Sequence, residues 1–152
     1  MPERAPSDGV IKDPLGARVL RILVIDDNAP DVMLIDESVR AQGLNFEMTH
    51  LSDGEDALAK LAAAPEELAA YDLIILDLNM PRVGGFEVLA QVRDNGSLNK
   101  VPILVLTSSL APKEQDEARR LGADRYLDKP ADLDEFLKAV GTAVRELVGN
   151  GN

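Results

Sequence analysis

Four short apolar runs each end on residues able to do chemistry. Arg21-Ile-Leu-Val-Ile25 leads to Asp26 and Asp27, Leu73-Ile-Ile-Leu76 to Asp77, Pro102-Ile-Leu-Val-Leu106 to Thr107, and Arg125-Tyr-Leu-Asp128 to Lys129. If these runs are neighbouring parallel strands, their carboxyl ends share one sheet edge, where open α/β sheets bind ligands. Three carboxylates, a hydroxyl and an ammonium then meet in one crevice. Singly, each residue has an ordinary reading: acids after strands cap helices, Thr107-Ser-Ser109 opens a helix, and a lysine is usually solvated. Jointly they pose a problem of charge, because two carboxylates about 4 Å apart at an effective dielectric near 20 repel by roughly 4 kcal/mol. Such a pocket needs cations. Lys129 supplies one, and the hard oxygens of Asp27 and Asp77 suit Mg²⁺, which keeps several waters and bridges carboxylates to phosphoryl groups. The chain has no cysteine and one histidine, His50, expected well away in another strand and structural or exposed, so zinc or iron is a poor alternative.

The elements that must position these residues alternate, as in βαβ units with a parallel sheet. Strands are expected near Arg21 to Ile25, Asn45 to Thr49, Leu73 to Leu76, Pro102 to Leu106 and Arg125 to Leu127. Helices are expected near Pro30 to Ala41, Gly54 to Ala64, Phe86 to Arg93, Pro112 to Leu121 and Leu133 to Leu147. Asp53 and Asp132 stand as N-caps, Gly43 and Gly122 as stops. Gly84-Gly85 reads as a turn that launches a helix, and Pro65-Glu-Glu-Leu-Ala-Ala70 as a lengthened surface turn. The first, third and fourth strands are apolar without alternation, which fits burial under helices on both faces. The second alternates and reads as an edge. The expected fold is therefore α/β, a flavodoxin-like, doubly wound five-stranded parallel sheet of order 2-1-3-4-5, with Asp26 and Asp27 beside Asp77 across the crevice.

One domain accounts for 152 residues, with residues 1–17 as a flexible N-terminal extension and 149–152 as a flexible tail lacking an output domain. A net charge of −11 repels nucleic acid and anionic lipid, and a 3% aromatic content removes the stacking platforms of single-strand binders. No apolar stretch is long enough to span a bilayer, so the expected location is cytoplasmic, with neither a membrane nor a nucleic-acid partner.

From about Arg18 to Leu147, within a domain spanning 18–148, the chain resembles the receiver domains of two-component response regulators. The likeness is carried by Ile25-Asp26-Asp27, Leu76-Asp77-Leu-Asn-Met-Pro81 with Gly85, Leu106-Thr107-Ser108 and Tyr126-Leu-Asp-Lys129-Pro130. The resemblance implies that Asp77 accepts a phosphoryl group from the phosphohistidine of a sensor histidine kinase. It implies that Asp26, Asp27, Asp77 and the backbone carbonyl of Asn79 place Mg²⁺, Asp26 usually through water. It further implies that Thr107, Ser108 and Lys129 hold phosphoryl oxygens, that Thr107 and Tyr126 form a switch, and that the Lys129–Pro130 peptide is cis. Physical chemistry agrees on the roles, since a carboxylate is a recognised nucleophile in an in-line displacement and phosphoryl transfer depends mainly on positioning and electrostatics. Tyr126 reads equally well as a half-buried core aromatic.

A narrower likeness, in Asp27-Asn-Ala-Pro-Asp31, Leu78-Asn-Met-Pro-Arg82, Leu106-Thr-Ser-Ser109 and Asp128-Lys-Pro-Ala-Asp-Leu-Asp-Glu-Phe136, is to stand-alone regulators paired with phytochrome-type kinases. It implies a homodimer through the region of the fourth helix, fifth strand and fifth helix. Ser109 occupies a position that tunes water attack on the acyl phosphate. Three alternatives remain open: a Mg²⁺-dependent aspartyl-phosphate phosphatase, a flavodoxin-like cofactor binder, and a non-phosphorylated scaffold. The first usually has a second acid where Asn79 stands, and the acidic loop Asp26 to Asp31 repels the phosphate of a cofactor. The expectation is a phosphoacceptor signalling protein that assists its own phosphorylation and dephosphorylation, not an enzyme.

Overall fold

The computed structural model describes residues 11–108 and 111–149; Ser109 lies outside them, as do residues 1–10 and 150–152. The chain order is β1 (Ile11–Lys12), β2 (Arg18–Ile25), α1 (Ala29–Ala41), β3 (Phe46–Leu51), α2 (Gly54–Ala63), α3 (Pro65–Ala69), β4 (Leu73–Leu76), α4 (Gly85–Asp94), β5 (Ile103–Thr107), α5 (Pro112–Arg120), β6 (Arg125–Asp128) and α6 (Leu133–Val148). A 3₁₀ turn at Gly96–Leu98 follows α4. The five parallel strands run in the spatial order β3-β2-β4-β5-β6, which is the expected 2-1-3-4-5.

Successive residues of a strand point to opposite faces, and here both faces are covered. Ile22 and Val24 of β2, Leu73 and Ile75 of β4, and Leu104 and Leu106 of β5 pack with Ile35 and Val39 of α1 and Phe136 and Val140 of α6. Their alternates Leu23, Ile25, Ile74, Leu76, Ile103 and Val105 pack with α2, α3, α4 and α5. Two-sided burial explains why these strands read as unbroken apolar runs, whereas β3, among the described residues, pairs only with β2 and its exposure alternates. Where α6 crosses α1, a Cβ on Gly141 would lie 2.8 Å from the Ser38 carbonyl oxygen, so only glycine permits this approach.

Asp53 and Asp132 cap α2 and α6 by accepting from the N–H groups of Asp56 and Glu135, as expected of short acidic side chains ahead of a helix. Three features differ from the sequence reading, and His50, exposed as expected, lies nearer the site than expected. Residues 11–17, expected within a flexible extension, are tied down: β1 pairs antiparallel with Arg18 and Val19, and Asp13 accepts from the Leu15 and Ala17 N–H groups and from Asn45 Nδ2. The turn at 65–70 is the short helix α3, because Leu68 is only 1% exposed and belongs to the core. The Lys129–Pro130 bond is trans, as are all peptide bonds among the described residues, in keeping with the general preference of X–Pro bonds. The side chain of His50 is exposed, yet the register of β3 places it opposite Val24, and its Nε2 donates to the Asp26 carbonyl at 2.7 Å. No helix among the described residues is long and apolar enough to cross a membrane.

Candidate functional site

The backbone of the site is an extension of the sheet. Past the strand ends, the N–H of Asp26 donates to Leu51 O, that of Asp77 to Ile25 O at 2.9 Å, and that of Lys129 to Thr107 O at 2.7 Å. Each functional residue therefore leaves its strand with its main chain already fixed.

Parallel pairing brings the expected residues together. The ammonium of Lys129 donates to Asp31 Oδ2 at 2.7 Å, Asp26 Oδ2 at 3.0 Å and Asp77 Oδ2 at 3.3 Å. Asp26 and Asp77 are 2% and 4% exposed, whereas Asp27 faces solvent. The other oxygens of the buried acids are engaged as well: Asp77 Oδ1 accepts from Asn79 N–H at 3.0 Å, and Asp26 Oδ1 from Asn28 N–H at 2.8 Å. The Asp77 carboxylate borders a cleft of about 470 Å³ together with Asp27, Asp31, Asn79, Ser108 and Lys129.

Burial decides the charge state of this group. Desolvation pushes the Asp26 carboxyl up to about 6, against an ordinary 3.8; the Asn28 N–H and Lys129 pull it down, and the charge of Asp77 adds to the rise. For Lys129 desolvation works in the opposite sense. The hydrogen bond to Asp31 and the charges of Asp26 and Asp77 outweigh it, so the amine is held above the usual lysine range and stays protonated. Carboxylate oxygens of Asp26, Asp27 and Asp77 lie within 4.8 Å of one another. A hard, all-oxygen donor set with surplus negative charge fits a divalent cation.

Thr107 is wholly buried, and its Oγ1 accepts from Asn79 Nδ2 at 2.9 Å. The side chain of Ser108 is exposed at the rim. Tyr126 is half-buried against the core on the α2–α5 side, and since Val105 faces Tyr126 while Thr107 faces Asp128, Tyr126 shares a sheet face with Thr107 one step upstream. Gly85, the first residue of α4, approaches Asp77 so closely that a Cβ there would lie 2.3 Å from the Asp77 carbonyl oxygen.

Two participants were not singled out from sequence. Asp31 touches Lys129 across a sequence separation of 98, and the Asn79 side chain, not only its backbone, reaches Thr107. Asp31 had a signal: it stands four residues after Asp27, in the first turn of α1, where Asn28 caps its N–H and turns its side chain toward the same edge.

Residues 22–141 match the family model described as the response regulator receiver domain. The response regulator Rcp1 of Synechocystis sp. is 33% identical over 121 residues, which cover 78% of this chain and 82% of that protein. The response regulator MprA of Mycobacterium avium is 36% identical over 126 residues, covering 83% of this chain but 51% of MprA, so the chain spans about half the length of that relative. Among solved structures, the phosphorylated cyanobacterial phytochrome response regulator RcpA superposes with a TM-score of 0.78 at 28% identity, covering 88% of this chain and 97% of that one. The Mn²⁺-bound form of Rcp1 superposes with a TM-score of 0.74 at 31% identity, covering 83% and 92%. Acidic pocket, buried hydroxyl and lysine on a 2-1-3-4-5 sheet thus accompany a match over most of the sequence, and the chain belongs to the family of response regulator receiver domains.

Proposed function

We propose that this protein is a phosphorelay switch that takes a phosphoryl group from a sensor histidine kinase onto Asp77 and answers by changing its protein contacts. What carries the reading is that Asp26, Asp27 and Asp77 converge within 4.8 Å while the Lys129 ammonium stands 3.3 Å from Asp77 Oδ2. In the transfer a carboxylate oxygen of Asp77 attacks phosphorus in line; an O–P bond forms, the N–P bond of the phosphohistidine breaks, and its electron pair stays on the imidazole. Asn79 N–H and Lys129 fix the orientation of Asp77 for that attack. Lys129, Thr107 and Ser108 then hold phosphoryl oxygens.

Mg²⁺ is the cation this donor set would take: Asp27, Asp77 and the Asn79 carbonyl would hold it, with Asp26 acting through water, and it would supply charge neutralisation on the transferring group. The same groups assist the protein's own phosphorylation and the later hydrolysis of the acyl phosphate. Once the Thr107 hydroxyl donates to a phosphoryl oxygen, which its acceptance of the Asn79 Nδ2 bond does not prevent, Tyr126, on the same face, follows inward and reshapes the surface of α5, β6 and α6. Likeness to Rcp1 and RcpA supports a phytochrome-type kinase as the partner. Because kinases draw on cellular ATP, the reading places the chain in the cytoplasm. It also includes a homodimer through the α5, β6 and α6 region, which a concentration-independent monomer mass in sedimentation would reject.

The test is incubation with Mg²⁺ and a small acyl phosphate donor, followed by intact mass measurement of the wild type and Asp77→Asn. A phosphate adduct on the wild type alone supports the assignment. Equal labelling of both moves the acceptor elsewhere.

A further inference from the structure

The Lys129 ammonium has three N–H donors, and three carboxylates accept from it: Asp31 at 2.7 Å, Asp26 at 3.0 Å and Asp77 at 3.3 Å. While Asp77 is still a carboxylate, no donor is left for an oxygen of the incoming phosphoryl group unless one acceptor is released. The three acceptors differ in how readily they can go. The side chain of Asp26 is 3% exposed and also bound by Asn28 N–H, that of Asp77 is 5% exposed and carries the reacting oxygens, and that of Asp31 is 22% exposed at the rim of the cleft. Only Asp31 can recover water of hydration on leaving, and releasing a buried carboxylate without it costs far more. Nor does α1 depend on this carboxylate, since its N-terminus is capped by Asn28 through the Asp31 N–H.

We propose that Asp31 is a positioning residue, the displaceable counter-ion of Lys129: it holds the ammonium in the resting state and is exchanged for a phosphoryl oxygen when Asp77 is phosphorylated. This rests on Asp77 being the acceptor. Asp31 therefore stabilises the unphosphorylated form and opposes phosphoryl uptake, through Lys129 and by adding a fourth carboxylate beside an anionic donor. The first effect requires contact and persists in salt, whereas the second is a screened field effect.

The measurement is the initial rate of phosphate adduct formation, by intact mass, with Mg²⁺ and a small acyl phosphate donor. Wild type, Asp31→Asn, Asp31→Glu and Glu37→Gln are compared in dilute buffer and at about 0.5 M KCl. Glu37, exposed on α1 six residues and so about 9 Å of helix beyond Asp31, controls for net charge. Asp31→Asn is expected to take up phosphate roughly fivefold faster, the scale of one partly exposed charge-assisted contact, with most of that gain retained in high salt. Asp31→Glu should return toward the wild-type rate, and Glu37→Gln should match wild type. An Asp31→Asn rate equal to or below wild type overturns the inference, as does a gain that vanishes in high salt or is reproduced by Glu37→Gln. An adduct that forms on wild type and persists in Asp77→Asn instead overturns the acceptor assignment, and the inference with it; an adduct confined to Asp77 but indifferent to Asp31→Asn overturns the inference alone.

Discussion

Gly85 sits directly against the main chain of Asp77: a Cβ at Gly85 would lie 2.3 Å from the Asp77 carbonyl oxygen and 2.6 Å from Leu78 Cα. Both obstacles are backbone atoms, so no rotamer change relieves the clash. The glycine is what allows α4 to begin flush against the strand that delivers the acceptor, with Gly85 N–H donating to the Leu78 carbonyl at 3.1 Å. Gly85→Ala should therefore cost about 1–3 kcal/mol in urea unfolding, typical of overpacking a filled site. It should also slow phosphate uptake by shifting Asp77 relative to Lys129. A variant of wild-type stability would show that α4 can recede freely.

The buried Asp26 carboxyl makes the metal-free protein sensitive to pH. Its folded pKa of about 6 exceeds the ordinary 3.8, so between those values the native state binds more protons than the unfolded chain and stability from this group falls as pH rises. Lys129 has the same sign in a different window: its raised pKa gives stability that is fully present below the usual lysine value and is lost only in strong alkali. Without divalent cation, the Asp26 contribution should be larger at pH 5 than at pH 7.5. In thermal melts Asp26→Asn should remove that part of the pH dependence and raise the midpoint at pH 7.5, while weakening the stabilisation that added Mg²⁺ gives. An unchanged pH profile in Asp26→Asn would assign the titration to another group.

Arg93 joins three separate segments through one side chain. Its Nη1 donates to the carbonyls of Leu98 and Val101, Nε to Gly122 O at 2.8 Å, and Nη2 to Asp124 Oδ2 at 2.7 Å. Asp124 Oδ2 in turn accepts from Ile103 N–H, the first residue of β5. Arg93→Met keeps the apolar stem and leaves these acceptors to water, so a loss of about 2–3 kcal/mol is expected in denaturant unfolding. Arg93→Lys should recover only part, because an ammonium lacks the planar fork. Phosphate uptake per folded molecule should not change, which separates this anchor from the chemistry.

Much of this molecule is legible in its sequence because the signals are local. Unbroken runs such as Leu73 to Leu76 announce a strand buried on both faces, and Asp53 and Asp132 announce helix starts, so each acid or amine at a strand end could be placed at one sheet edge. What escaped depends on orientation in three dimensions. Asp31 reads as a polar residue in a first helical turn until that turn is seen facing the loop after β6. His50 is remote by position, but the β2–β3 register brings its ring to the Asp26 carbonyl. β1 is two residues long, too short for any periodicity, and exists through pairing with Arg18 and Val19. Leu68 lies within a polar-looking segment, and a single buried leucine is enough to turn a surface turn into a packed helix.

The division of the sheet into two cores has a mechanical consequence. Thr107 and Tyr126 belong to the face covered by α2 through α5, while Leu104 and Leu106 of β5 are clamped from behind by α1 and α6. One layer can thus serve as a chassis while the other flexes. Rearrangement at the front need not unseat the back, and hydrogen exchange under α1 and α6 should stay slow whichever state the front adopts.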